Sequence, residues 1–203
     1  MYRLLALTTL VTLLLAACGS AGSTDEGHGA HGRGATATAT TSTATASDFD
    51  RTFIQSMSAH HESAVQMAEV ALERAEHPQL KTLAQQIIEG QKAEQEKIAA
   101  WHKEWYGAPL AEGNHSGHRS DMPGMQMEGA MGVSPEDLAD ADPFDRAFID
   151  AMIPHHEAAI MDARQALQKA GRQEIKDLAR NIVETQQREI DQMRSWRAQW
   201  YGS

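Results

Sequence analysis

The sequence predicts an all-α protein: a four-helix bundle built from two duplicated antiparallel helical hairpins joined by a long crossover loop. Three observations predict it. Phe49–Gly107 aligns with Phe144–Gly202 without a gap, with 25 identities in 59 positions, which marks an internal duplication. Apolar residues in each copy recur at helical spacing of threes and fours. Each copy also carries a helix-breaking turn in its middle and a glycine at its end.

The chain opens with Arg3 and an apolar stretch from Leu4 to Leu15 that ends in Leu15-Ala16-Ala17-Cys18. This is the length of a signal-peptide core and is too short to span a bilayer. Its end is similar to a bacterial lipobox, so residues 1–17 are expected to be removed and Cys18 to be lipid-modified. The plainer reading is an ordinary secretory leader. Either one places the mature protein outside the cytoplasm, and the lipobox anchors it to a bacterial membrane at the cell surface or in the periplasm. Cys18 is the single cysteine, so its acylation would leave no thiol for disulfides or thiolate metal sites. The formal net charge is −10, and loss of Arg3 with the leader makes it −11. No basic footprint for nucleic acid is present.

Residues 18–47 are rich in Gly, Ser, Ala and Thr and are expected to form a disordered tether, with His28 and His31 in a GHGAHG motif. The first hairpin, 48–107, begins at candidate caps Ser47 and Asp48. Phe49, Phe53, Met57, His60/His61, Ala64, Ala68, Ala71 and Ala75 trace one helix face. His77-Pro78 breaks the helix. Leu80, Leu83, Ile87, Gln91, Glu94, Ile98, Trp101 and Trp105 trace a second, which stops at Gly107 ahead of Pro109. The second hairpin, 144–203, opens at Asp142 or Pro143, turns at Gly171 and closes at Gly202. A lone hairpin buries only one face, so two are expected to pair into a bundle; the alternative is dimerisation of each with another chain. The crossover, 108–143, is long enough to run the length of the bundle, as in ferritin-like folds.

Polar residues interrupt the apolar stripes. His60 or His61 falls between Met57 and Ala64, and Gln91 and Glu94 fall between Ile87 and Ile98. With the turn at 77–78, the antiparallel register puts Glu94 opposite His60 and His61, and by duplication Glu189 opposite His155 and His156. A buried carboxylate needs a partner, and a His–Glu hydrogen bond supplies one without any ligand. Met57 shares a helix face with His60 and His61, as Met152 does with His155 and His156. Met67 and Met161 lie further along. Imidazole with thioether suits copper, above all Cu(I), and Glu94 and Glu189 would then accept the second N–H of metal-bound imidazoles. The plainer account of the Met residues is core filling. Pro154, before His155, would free the carbonyl of Asp150 and kink the helix; Ala59 takes its place in the first copy.

The crossover carries His115, His118, Met122, Met125, Met127 and Met131 within a Gly-rich segment. Soft donors with little reason to pack suggest a Cu(I)-capturing loop; the plainer account is a linker that docks on the bundle.

FDRAFIDAMIPHHEAAI (144–160), the ExQxxEIxxM run (184–193) and the Phe49 copy resemble the DUF305 family. That resemblance covers both repeats. It implies a ferritin-like four-helix bundle, extracytoplasmic location and a tendency to bind copper, with Met57, His60, His61, Met152, His155 and His156 at the matching positions. Met193 has Ile98 as its mate, and Asp162 stands at the position of Met67. The expected function is a copper-binding lipoprotein that sequesters or delivers copper, with Cu(I) favoured over Cu(II) and with room for a copper-handling protein as its partner. Two alternatives remain open. One is a metal-free interaction bundle with structural His–Glu pairs. The other is a di-metal redox enzyme, whose usual Glu-x-x-His motifs are missing from the bundle helices. No nucleophile, phosphate loop or catalytic triad is visible, so no enzyme activity is expected.

Overall fold

The structure, a computed structural model, describes residues 38–110 and 133–202. Cys18, His28, His31, His115, His118, Met122, Met125, Met127 and Met131 lie outside the described residues. The described elements are α1 (Thr38–Arg74), α2 (Pro78–Tyr106), α3 (Pro135–Ala139), α4 (Phe144–Lys169) and α5 (Gln173–Tyr201). Among the described residues there is no strand, and no helix is long and apolar enough to cross a membrane.

The breakers act where the sequence puts them. Pro78 occupies the first turn of α2, where its missing N–H is no loss. Gly107 ends α2 with φ 70°, a left-handed conformation that glycine adopts without a Cβ clash, and its N–H donates to Lys103 O at 3.0 Å. α4 continues through Pro154 as one helix. Two boundaries differ from the expectation. α1 begins at Thr38, inside the stretch expected as a tether, because an Ala/Thr alternation can extend a helix already nucleated by the packed residues after Asp48. The crossover contains the short helix α3, capped by Ser134 Oγ accepting from Asp137 N–H at 3.0 Å and held by buried Leu138.

Packing fixes the topology. One apolar cluster joins Phe49, Phe53, Ile54 and Met57 of α1 to Ile98 of α2, to Ala159–Ala170 of α4 and to Ile175–Ile182 of α5. The other joins Ala64–Ala75 of α1 and Leu80–Ile88 of α2 to Leu138, Phe144–Met152 and Met193. The Phe49–Met57 segment of α1 therefore lies beside the end of α4, and the end of α1 beside the start of α4. These two helices are antiparallel and related by a pseudo-twofold axis. α2 ends at one end of the bundle and α4 begins at the other, as a crossover connection requires. This is the arrangement that the sequence predicts.

Two aspartates lock the hairpins together. Asp145 Oδ1 accepts from Glu76 N–H and its Oδ2 from His77 N–H, both at 2.9 Å. Asp50 Oδ1 accepts from Gly171 N–H at 2.9 Å and its Oδ2 from Arg172 N–H at 3.0 Å. Each Phe-Asp-Arg motif thus clamps the turn of the other hairpin, satisfying backbone N–H groups that helix starts leave unpaired.

Candidate metal centre

Between the two apolar clusters every long helix carries a polar break: His60/His61 on α1, Gln91/Glu94 on α2, His155/His156 on α4 and Gln186/Glu189 on α5. All four histidines and both glutamines are buried. Polar groups at this depth are costly unless paired, so their hydrogen bonds decide what the layer is.

The two histidines of each pair have different surroundings. His61 Nε2–H donates to Glu94 Oε2 at 2.7 Å, and His156 Nε2–H donates to Glu189 Oε2 at 2.7 Å. The antiparallel register sets these contacts within each hairpin. Glu94 is held further by Asn181 Nδ2, which donates to its Oε1 at 2.7 Å from α5. His60 and His155 turn away from the glutamates and meet at the pseudo-twofold axis, with ring centroids 3.8 Å apart. His60 Nε2–H donates to His155 O at 2.9 Å. The sequence places Glu94 against the His60/His61 pair as a whole; the structure gives it to His61 alone, because one helical residue step turns the neighbouring ring about 100° away.

The lone pairs left over define the chemistry. Nδ1 of His60, His61 and His156 and both ring nitrogens of His155 are buried without a hydrogen-bond partner. Burial, then the neighbouring His61, lowers the His60 pKa to about 3. Burial and the nearby His60 hold His155 well below its ordinary value. Both imidazoles are therefore neutral at neutral pH, the state a metal ligand needs. With Nε2–H given to a carboxylate, Nδ1 of His61 and of His156 is the free donor. This carboxylate–imidazole arrangement is the one that orients metal-bound histidine.

Met57 and Met152 are fully buried one turn from these rings, and Met67 is buried in the second cluster. Met161 is not brought to the layer. It is 45% exposed, because it sits one residue, about 100° of helix, from the buried position that Asp162 fills. Asp162 has neither carboxylate oxygen paired, and burial raises its pKa to about 6. Among the described residues no three His, Cys, Asp or Glu side chains converge to hold an ion by themselves. An ion in this layer would therefore need thioether sulfur as well as imidazole.

Sequence reasoning missed the meeting of His60 with His155, the Asn181 contact to Glu94, and the Asp50 and Asp145 clamps. The duplicated Phe-Asp-Arg was a visible signal for the last. Nothing local announces the first two, which depend on how the hairpins dock.

Solved structures are similar over most of this chain. CopM in the Cu(I)-bound form is 37% identical with a TM-score of 0.65, over 75% of this chain and 98% of that one. CopM in the Cu(II)-bound form is 39% identical with a TM-score of 0.65, over 75% of this chain and 97% of that one. A DUF305 fragment from Deinococcus radiodurans is 28% identical with a TM-score of 0.61, over 74% of this chain and 96% of that one. Among curated proteins nothing matches. The model of DUF305, a domain of unknown function, matches residues 20–197. With that match spanning both hairpins and the crossover, the chain belongs to the DUF305 family.

Proposed function

We propose that this chain is an extracytoplasmic copper-binding lipoprotein that sequesters copper or hands it to a copper-handling protein, and that it takes the ion as Cu(I). The observation that carries the reading is the set of buried, unpartnered imidazole nitrogens backed by Glu94 and Glu189. In a metal-free protein each would be a cost with no return. Met57 and Met152 add thioether donors, and neutral imidazole with thioether is a soft set that favours Cu(I). The likeness to CopM, solved with both Cu(I) and Cu(II), supports copper as the ion; the choice of Cu(I) rests on the sulfurs. His115, His118, Met122, Met125, Met127 and Met131 would form a capture segment that feeds the bundle. A leader ending at Cys18 would anchor the protein, and a DUF305 protein from Streptomyces coelicolor that is provisionally named as secreted supports an extracytoplasmic site. The role is binding rather than turnover.

The competing reading is a metal-free bundle in which the His–Glu pairs only set the register, and the His60 bond to His155 O favours it. An anaerobic Cu(I) titration against a competing chelator separates the two. Wild type and a chain lacking residues 114–131 should both retain tight bundle sites. Replacing His60, His61, His155 and His156 by Ala should remove them, and the gentler Met57→Leu/Met152→Leu pair should weaken them without unfolding the bundle. Unchanged binding in both sets of variants would refute the bundle sites and leave the structural reading.

A further inference from the structure

We infer that the two halves of the bundle are unequal metal sites, and that Met193 gives the site around His156 a second thioether. This rests on the copper reading above and specifies its ligands.

The argument is one of register. The His156–Glu189 bond of 2.7 Å fixes how α4 and α5 lie side by side. Met152 stands one turn before His156, and Met193 one turn after Glu189. In antiparallel helices those two turns lead to the same level. Both side chains are fully buried and belong to one apolar cluster. The same construction from the His61–Glu94 bond of 2.7 Å leads in the first half to Met57 and Ile98, which share the other cluster. Isoleucine fills the space but has no lone pair. The second half therefore places two buried methionines at one level a turn from His156, whose Nδ1 is buried and unpartnered, and the first half places one at the matching level beside His61, whose Nδ1 is likewise unpartnered.

The difference extends one turn further. Met67 is buried in the same cluster as Met152 and Met193. Its counterpart by duplication, Asp162, is a hard carboxyl group with both oxygens unpartnered. One side of the histidine layer thus carries three buried thioethers, Met67, Met152 and Met193, and the other carries Met57. Two thioethers and a neutral imidazole form a donor set for a soft monovalent ion, whereas a single thioether is a weaker claim on it. The site around His156 fills first, and the site around His61 follows at higher ion concentration.

The test uses the full mature chain with its methionine methyl groups labelled with carbon-13, titrated with Ag(I), a redox-inert ion of the same charge and softness as Cu(I). The ε-methyl signals of Met152 and Met193 should shift together, and before that of Met57. Met193→Ile installs the residue that the first copy already holds, so the fold should survive, as the thermal unfolding of the metal-free variant will report. That variant should weaken the site by about tenfold or more, the scale on which even outer partners of a metal matter, so that Met152 and Met57 respond at similar ion concentrations. Ile98→Met should strengthen the first site in return. A Met193 signal that stays still while Met152 moves would overturn the two-thioether site and leave the copper reading standing. If neither Met57 nor Met152 moves, the copper reading itself fails.

Discussion

The four histidines of the central layer share a residue type and a depth but differ in what they touch. His61 and His156 each have one nitrogen given to a glutamate, while His60 and His155 face each other with their charged forms suppressed by burial. That suppression has a signed consequence for the metal-free protein. The unfolded chain takes up a proton on each of these residues as pH falls below about 6.5, whereas folded His60 resists until about 3. Stability due to the neutral pair is therefore complete above about pH 6.5 and is lost progressively as pH falls from there towards 3. Asp162 acts in the opposite sense. Its folded pKa of about 6 lies above the ordinary 3.8, so its burial is destabilising above pH 6 and relieved as pH falls from 6 to 3.8. Asp162→Met, which installs the residue of the first copy, should stabilise the protein by roughly 1–3 kcal/mol at pH 7 and less at pH 5. Denaturant midpoints at the two pH values check both signs; a midpoint that rises on acidification in Asp162→Met, where the opposing carboxyl is gone, would contradict the assignment of His60 and His155.

At the scale of elements, each hairpin is a helix, a turn and a helix, and what joins the hairpins is concentrated at their turns. Asp145 accepts two backbone N–H bonds and a third bond from His77 Nδ1 at 2.6 Å. Its counterpart Asp50 accepts two backbone bonds, and burial raises its pKa against them. Hydrogen bonds to a charged group contribute about 1.5–3 kcal/mol each at most, and a deleted acceptor leaves its donors unpaired. Asp145→Ala should therefore cost about 2–4 kcal/mol in urea unfolding, and Asp50→Ala less, on the same scale. Equal costs would mean that His77 contributes nothing through its ring, despite its stacking on Trp200 at 3.7 Å.

For the whole molecule, the arrangement is a pseudo-symmetric bundle with a polar equator, and the proposed placement outside the cytoplasm rests on the residues before it. The chain's formal net charge of −10 mildly attracts cations. Among the described residues no helix is long and apolar enough to cross a membrane; the proposed anchor is a lipid on Cys18. One acyl chain alone holds weakly, whereas two or more anchor firmly. Cys18→Ala should move the protein from the membrane fraction to the soluble extracytoplasmic fraction, with Cu(I) binding unchanged. Retention of the variant in the membrane fraction would point to a different anchor.

Much of the fold was legible in the sequence because duplication, helical spacing and breakers are local signals that repeat. The register of each hairpin was legible too, since a turn at His77-Pro78 fixes which residue of α2 faces His61, and Glu94 is found there. The buried position of Met57, and by duplication of Met152, followed from the same periodicity, whereas Met161 was misplaced because one residue of offset turns a side chain out of the core. Docking between hairpins carries no local mark. Only the tertiary structure brought His60 onto His155, set Asp50 and Asp145 on the opposite turns, and gathered Met193 with Met152 on one side of the equator. The sequence by itself determined four amphipathic helices and a layer of histidine across them. The packing of two unequal copies decided which nitrogens are left without a partner, because that depends on contacts between residues 95 positions apart.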